Sequence, residues 1–235
     1  MVVMLHGGTQ TADQAAVMSS FDGEAEDGRF LVAYPNGVGR TWNAGRCCGQ
    51  AARLGVDDVG FVGAVVQAVA AEDRVDSARV FATGISNGGL LAYRLAVERS
   101  NLFAAIAPVA ASDLTTGEPA LPVSVLHIHG LVDQHVPYQG GVGAKSLQRV
   151  DYRPVREVVR RWVGVNGCEP EPVLASDGRV TTETWSGPGA DVELVTLSAT
   201  GHWWPGGRID TVRRVPLAFD ATAAIWAFFA SHPRA

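Results

Sequence analysis

The feature that most constrains the fold of this chain is a recurrence of short apolar runs, most of them separated by segments of helical length. Strands buried in a parallel sheet read as continuous apolar runs, because helices cover both faces of the sheet. The sequence therefore predicts an α/β fold with a mostly parallel central sheet and helices on both faces. The predicted strands are residues 2–5, 30–34, 79–83, 104–110, 123–128 and 192–197.

Segments between these strands carry apolar residues at helical spacing, and one of them begins behind the acidic pair Asp57 and Asp58. The sequence has no internal repeat, linker or low-complexity tract, and 235 residues with 47% apolar content can bury a substantial core. We therefore predict one domain over residues 1–235. The predicted helices are residues 56–71, 90–98, 154–163 and 218–230.

Charge and composition argue against several function classes. The net charge of −5 is spread along the chain without a Lys/Arg stripe, which argues against a nucleic-acid partner. No stretch approaches the ~20 apolar residues of a membrane span, and no signal-peptide pattern opens the sequence. Cys47 and Cys48 lack the second Cys/His pair of a zinc site, so we predict no metal. With Cys168 the cysteines cannot all pair internally, which leaves the disulfide pattern open.

Two segments lead to expectations about the surface. The first predicted strand begins at residue 2, so we expect it to form an uncovered sheet edge that could pair with another chain. Residues 139–153 form a glycine-rich loop that is longer than most connections, and we expect it to border a pocket.

The segment Gly84-Ile85-Ser86-Asn87-Gly88 lies between a predicted strand and a predicted helix. In that context a G-x-S-x-G pattern predicts a nucleophile elbow, a turn so tight that glycines must let the two backbones approach. The elbow would expose the Ser86 hydroxyl above the carboxyl ends of the strands, where open α/β sheets bind ligands. The alternative is a plain glycine turn in which Ser86 caps the helix.

A nucleophilic serine needs a histidine as base and a carboxylate that orients the histidine. We predict His202 as the base, because its loop of glycine, proline and tryptophan follows the last predicted strand and can lift an imidazole over the sheet. The alternative is that His202 only packs beside the tryptophans. For the other histidines we predict loop shaping (His6, His129), a core position (His127), an exposed loop (His135) and the frayed C-terminus (His232).

The chain order nucleophile, acid, histidine selects Asp133 as the acid, because it follows the predicted strand 123–128. Asp113 is the alternative. The oxyanion that develops on an attacked carbonyl needs two aimed donors. We predict the backbone N–H of Asn87, directly after the nucleophile, and that of Gly8, in the loop after the first strand. Thr9 is the alternative to Gly8.

The chain also contains, in order, the segments VVMLHGGTQ, LVAYPNGVGRTWNAGRCCG, GVDDVGFV, VFATGISNGGLLAYRLA, FAAIAPVAA, VLHIHGLVDQHVPY and GHWWPGG. In this combination the sequence resembles the poly(3-hydroxybutyrate) depolymerase-like esterases, relatives of bacterial feruloyl and acetylxylan esterases within the α/β-hydrolase fold. The resemblance runs over nearly the whole chain. It implies that the catalytic serine, aspartate and histidine are Ser86, Asp133 and His202.

The sequence departs from this family pattern in several places. Members usually have a signal peptide and one or two strands ahead of the His-Gly loop, so the resemblance implies secretion, whereas we expect those N-terminal strands of the fold to be absent here. Gly8 stands where many relatives have a cysteine, so no disulfide pairing is carried over. Trp203 stands where relatives often have threonine, so no acyl preference is carried over either.

Together these residues predict a serine carboxylic-ester hydrolase that works through an acyl-enzyme and needs no metal or organic cofactor. We predict that Trp42, Trp203 and Trp204 form an apolar wall of the substrate site, with ordinary packing as the alternative. The predicted substrate is a polyhydroxyalkanoate, a feruloylated or acetylated polysaccharide, or a short-chain ester. Two alternatives remain, namely a serine peptidase or amidase on the same fold and a non-catalytic module that binds polymer or carbohydrate.

Overall fold

The computed structural model describes residues 1–146, 148–207 and 219–234, and these residues form one eight-stranded sheet. The strand order is β2-β1-β3-β4-β5-β8-β7-β6. All pairs from β2 to β8 are parallel, and only β7 and β6 run antiparallel to their neighbours. The strands are β1 (Val2–Leu5), β2 (Val32–Ala33), β3 (Phe81–Ile85), β4 (Ala105–Val109), β5 (Ser124–Gly130), β6 (Val173–Ser176), β7 (Val180–Trp185) and β8 (Val192–Leu197).

Helices cover both faces of this sheet. The apolar core accordingly has two main clusters, and β1 divides its side chains between them: Val3 and Leu5 belong to one cluster, Val2 and Met4 to the other. This alternation is the period of two expected of a strand buried on both faces. The helices are α1 (Ala12–Ser19), α2 (Phe21–Gly28), α3 (Gly49–Arg53), α4 (Asp58–Glu72), α5 (Asn87–Glu98), α6 (Val155–Val165) and α7 (Ala221–Ser231), with a short 3₁₀ turn at Val38–Arg40.

The two faces carry different helices. α4, α5 and α6 pack on the first face, where Val62, Leu91 and Trp162 are buried in one cluster. α1, α2 and α7 pack on the second face through residues that include Phe21 and Phe229. The prediction of a mostly parallel sheet with helices on both faces is therefore confirmed.

Each of the six predicted strands and four predicted helices corresponds to an element of the structure, with ends shifted by a few residues. The last predicted helix begins at residue 218, which lies outside the described residues. The sequence patterns did not predict α1, α2, α3 or the hairpin of β6 and β7. The hairpin escaped because β6 has an apolar run of only three residues, 173–175, and β7 is mostly polar, so neither has the longer apolar run of a buried strand.

The expectation that β1 forms an uncovered edge is wrong. β2 pairs with it in parallel, with Val2 opposite Val32 and Val3 opposite Ala33. The edges of the sheet are instead β2 and β6.

Among the described residues, no helix has the length and apolar character that crossing a bilayer requires.

The turn from β3 into α5 brings the helix backbone against the end of β1. A Cβ atom placed on Gly84 would lie 2.6 Å from the carbonyl oxygen of Leu5, and one placed on Gly88 would overlap that same oxygen. Real Cβ atoms do not approach backbone atoms this closely, so both positions require glycine. This contact sets the start of α5 beside the carboxyl ends of β1 and β3.

We expect Gly88→Ala to lower the free energy of unfolding by at least about 2 kcal/mol, because α5 would have to move away from β1. Gly164→Ala is the matched control, since this exposed glycine of α6 has no atom within 4 Å of an added Cβ. The control should instead gain about 0.5–1 kcal/mol of helix stability. Guanidinium unfolding curves measure both values, and equal stability of the two variants would contradict the close contact.

Candidate active site

Ser86 occupies the turn between β3 and α5. Its φ of 54° is a left-handed conformation that costs a residue with a side chain about 1–3 kcal/mol. The backbone N–H of Ser86 holds the turn by donating to the Val109 carbonyl oxygen at 2.9 Å. The Ser86 side chain makes no capping hydrogen bond to α5, so the alternative of a plain helix cap does not hold. The residue is half-buried and borders a cavity of about 230 Å³.

Asp133 and His202 meet above the neighbouring strands β5 and β8. His202 Nδ1 lies 2.7 Å from Asp133 Oδ2, and the imidazole donates this hydrogen bond. The other carboxylate oxygen accepts the backbone N–H groups of His135 at 2.8 Å and Val136 at 3.0 Å. The Asp133 side chain is fully buried, whereas that of His202 is 15% exposed. A hydrogen bond at Nδ1 fixes the tautomer in which Nε2 can accept a proton.

The surroundings of Asp133 keep its carboxylate ionised at neutral pH. Burial alone would raise its pKa, but the hydrogen bond and charge of His202, the proximity of His129 and the N–H of Val136 outweigh burial and lower the pKa below 3.8. A negative charge is thus held permanently against the imidazole of His202, where it would stabilise an imidazolium.

Ser86 and His202 line the same cavity. Within the described part of the chain, no hydrogen bond joins the Ser86 hydroxyl to the imidazole. Hydrogen bonds of catalytic groups are often long without substrate and tighten in the complex. The structure therefore brings the predicted nucleophile, base and acid to one site with the base-acid pair already formed.

The loop after β1 and the start of α5 also line this cavity, through Gly8 and Asn87. An added Cβ on Gly8 would lie 3.8 Å from the Cβ of Asn87, so the two residues are neighbours. Among the described residues, neither backbone N–H donates to a protein acceptor, which leaves both available for a bound oxygen. The N–H of Thr9 donates to the Arg40 carbonyl oxygen at 2.8 Å, and this occupied donor removes Thr9 as the alternative.

The prediction that Trp42 and Trp204 contact substrate is wrong, because both side chains are fully buried. The indole N–H of Trp204 donates to Thr222 Oγ1 at 2.9 Å, and its ring packs edge-on against Phe21. Of the three tryptophans, only Trp203 borders an open space, which is a second depression of about 300 Å³. This depression adjoins the cavity at His135 and His202.

Trp42 instead fastens the loops of the site to one another. Its indole N–H donates to the His6 carbonyl oxygen at 2.9 Å, and its backbone N–H and C=O both bond the side-chain amide of Asn87, at 2.7 and 2.9 Å. The His6 ring lies on the indole and accepts the Gly37 N–H at 3.0 Å, which agrees with the predicted loop-shaping role of His6. The sequence predicted a role only for the backbone of Asn87, and the structure adds this role for its side chain.

His135 was expected in an exposed loop, and this expectation is wrong. Its ring is half-buried and stacks on the His202 ring with centroids 4.5 Å apart. Burial, then the nearby His202, lowers the pKa of His135, although Asp133 opposes this. The spacing of two residues between Asp133 and His135 was the signal that could have identified it.

The alternative acid, Asp113, lies in a separate buried cluster. Its carboxylate pairs with the Arg161 guanidinium at 2.6 Å and accepts from the Trp162 indole at 3.1 Å and from Thr115. No hydrogen bond connects it to His202 within the described residues. Its charge is matched by Arg161, so we assign Asp113 a structural role.

One group of side chains has the ligand types of a metal site, since ligand atoms of Asp133, His135 and His202 lie within 4.8 Å of one another. Both oxygens of Asp133 already accept N–H groups, so a cation here would compete with the bond to His202.

Of the cysteines, Cys47 and Cys48 form a disulfide and Cys48 borders the cavity. Burial, with help from Asp191, raises the pKa of the Cys168 thiol to about 11.

Comparison with known proteins identifies relatives of this chain. Residues 1–133 match the family described as Esterase PHB depolymerase, a match that includes Ser86 and Asp133 and ends before His202. NocK of Nocardia uniformis subsp. tsuyamanensis is 31% identical over 229 residues, which cover 88% of this chain and 66% of NocK. Feruloyl esterase B of Piromyces equi is 30% identical over 185 residues, which cover 73% of this chain and 33% of that protein.

The chain thus spans between one third and two thirds of the length of these curated relatives. Among solved structures, an acetyl xylan esterase from Aspergillus awamori superposes with a TM-score of 0.65 at 18% identity, covering 91% of this chain and 86% of that one. This likeness concerns the fold, and it identifies the sheet and its helices as an α/β-hydrolase fold, as predicted.

Because the pKa of Asp133 is lowered on folding, its ionised carboxylate stabilises the fold above the unfolded pKa of 3.8, and this contribution is lost as pH falls through the folded pKa. We expect Asp133→Asn to be less stable than the wild type at neutral pH, and the gap to shrink as the pH falls below about 3.8. Urea unfolding at a series of pH values measures the gap. A gap that widens on acidification would contradict the lowered pKa.

Proposed function

Since the chain belongs to the Esterase PHB depolymerase family, we propose that it is a serine carboxylic-ester hydrolase with Ser86 as nucleophile, His202 as base and Asp133 as the acid that orients the base. The observation that carries this proposal is the 2.7 Å bond from His202 Nδ1 to the buried Asp133 carboxylate, on the rim of the cavity that Ser86 borders.

In the proposed reaction, Ser86 Oγ attacks the ester carbonyl and its proton passes to His202 Nε2. The N–H groups of Gly8 and Asn87 stabilise the oxyanion, and each such donor is worth about 10²–10³ in rate. The C–O bond then breaks, and the alcohol leaves with the proton from His202. Water, deprotonated by His202, hydrolyses the acyl-enzyme and restores Ser86. This sequence requires no metal or organic cofactor.

The walls of the cavity support a small acyl group. Leu90, Val136 and Tyr152 line it beside Ser86, and its volume of about 230 Å³ lies below the usual range for drug-sized ligands. Ser146 and Gln148, from the same loop as Tyr152, also line the cavity, so the loop at residues 139–153 borders the site as expected. Short-chain, acetyl and single-ring feruloyl esters fit this space better than a long polyester segment.

The alternatives receive less support. A triad does not by itself distinguish an ester from an amide, but the curated relatives named for their chemistry are feruloyl esterases. A non-catalytic module that binds polymer through its tryptophans loses most of its basis, because Trp42 and Trp204 are buried.

We expect Ser86→Ala to lower kcat on p-nitrophenyl acetate by at least about 10³-fold, because no other group can form the acyl-enzyme. Ser112→Ala is the control and should retain activity, since its buried hydroxyl donates to the Arg153 carbonyl oxygen and Ser112 is not among the described residues that line the cavity. The same assay with methyl ferulate, polyhydroxybutyrate film and amino-acid p-nitroanilides assigns the substrate class. Full esterase activity in Ser86→Ala would refute the proposal.

Replacing the two aspartates separately tests the assignment of the acid. Asp133→Asn should lose about 10²–10⁴ of kcat, because the imidazole loses its charge partner and its tautomer. Asp113→Asn should keep kcat per active site but lose on the order of 3 kcal/mol of stability, because Arg161 is left without its buried partner. Active-site titration with a serine-reactive phosphonate normalises both rates. A larger kcat loss in Asp113→Asn would reverse the assignment.

A further inference from the structure

Three fully buried side chains form a continuous hydrogen-bonded row beside Asp133. The Tyr93 hydroxyl lies 2.6 Å from His127 Nδ1, and His127 Nε2 lies 3.0 Å from His129 Nδ1. His129 Nε2 then lies 2.9 Å from the Val136 carbonyl oxygen and 3.5 Å from Asp133 Oδ2. None of this row has a role in the reaction proposed above.

The end of the row fixes the direction of every bond in it. A carbonyl oxygen only accepts, so His129 Nε2 carries the proton that bonds Val136. In a neutral ring Nδ1 of His129 must then accept, and His127 Nε2 must donate. Because the neutral His127 ring donates through Nε2, its Nδ1 must accept, and the Tyr93 hydroxyl is therefore the donor to it. Only one arrangement of protons therefore satisfies all three bonds.

The surroundings keep all three groups neutral. Burial is the main cause that lowers the pKa of both imidazoles and raises the pKa of the Tyr93 hydroxyl. The charged group closest to the row is the Asp133 carboxylate, beside His129, while Asp113 with its partner Arg161 acts on Tyr93 at the other end.

The row connects two elements that must keep a fixed relation for catalysis. Tyr93 belongs to α5, the helix that begins directly after Ser86, and His127 and His129 lie on β5. The row ends on Val136, whose own N–H donates to Asp133 Oδ1. We propose that Tyr93, His127 and His129 are positioning residues, a one-way hydrogen-bond chain that holds the Asp133 loop in register with α5, the helix that begins directly after Ser86.

This inference rests on the proposed function, and it differs from ordinary core packing in a testable way. Packing requires side chains of matching volume, whereas positioning requires the donor at His129 Nε2. His129→Leu keeps a buried apolar volume and removes the donor. His129→Gln places an amide N–H near the same point and keeps the bond to the Val136 carbonyl oxygen.

We expect His129→Leu to lower kcat about 10- to 100-fold, because small displacements of catalytic groups are costly. KM on p-nitrophenyl acetate should stay within about twofold, and His129→Gln should recover most of kcat. Unchanged kcat in a folded His129→Leu, or a His129→Gln variant no more active than His129→Leu, would overturn the proposal.

A second pair of variants serves if His129→Leu does not fold. Tyr93→Phe removes the single oxygen that starts the chain, and Tyr138→Phe removes a hydroxyl that bonds Thr196 outside the chain. Tyr93→Phe should lower kcat about threefold or more, while Tyr138→Phe should leave it unchanged. Equal kcat in both variants would contradict the chain.

Histidine ¹⁵N spectra test the proton arrangement without any activity measurement. His127 and His129 should both be neutral with the proton on Nε2 at pH 7, whereas His6 should carry its proton on Nδ1, since its Nε2 accepts from Gly37. A proton on Nδ1 of His127 or His129 would overturn the chain. An inactive wild type with the expected spectra would instead refute the proposed function and leave the arrangement intact.

Discussion

The backbone contact between α5 and the end of β1 is the constraint on which the site depends. Gly84 and Gly88 allow the helix to start against the Leu5 carbonyl, so the turn carrying Ser86 meets the loop carrying Gly8. Two main-chain donors can converge on one oxygen only if their backbones are held within a fraction of an ångström. A side chain at either glycine would separate the two backbones, so the elbow and the proposed oxyanion donors have a common structural origin.

Two buried carboxylates in this fold differ in the type of partner that surrounds each. Asp113 pairs with Arg161, so its charge is cancelled locally and serves to join α6 to the loop after β4. Asp133 is held by neutral N–H groups and His202, and no guanidinium or ammonium group pairs with it among the described residues. Its charge therefore remains available to the imidazole, which is the physical reason to propose the second aspartate, and not the first, as the acid that orients the base.

Sequence patterns predicted the parts of this structure that depend on short segments. The order of Ser86, Asp133 and His202 and the strands before them were enough to predict that these residues share one edge of the sheet. The burial of Trp42 and the stacking of His135 on His202 could not be predicted, because both depend on loops distant in sequence. β6 was missed because its apolar run, residues 173–175, is too short to stand out as a strand in the sequence. A single domain over residues 1–235 stays a prediction.

The position of Trp42 divides the cavity lining into a part that is bonded to the proposed catalytic groups and a part that is not. Its bonds to His6 and Asn87 tie the elbow, the Gly8 loop and its own loop into one unit, so this part of the cavity wall is fixed by the same contacts that hold the proposed oxyanion donors. Substitutions there would disturb catalysis as well as fit. Another part of the lining comes from Ser146, Gln148 and Tyr152, which make none of those bonds. Under the proposed mechanism, acyl preference can therefore vary through this loop without altering the donors, the elbow or the base.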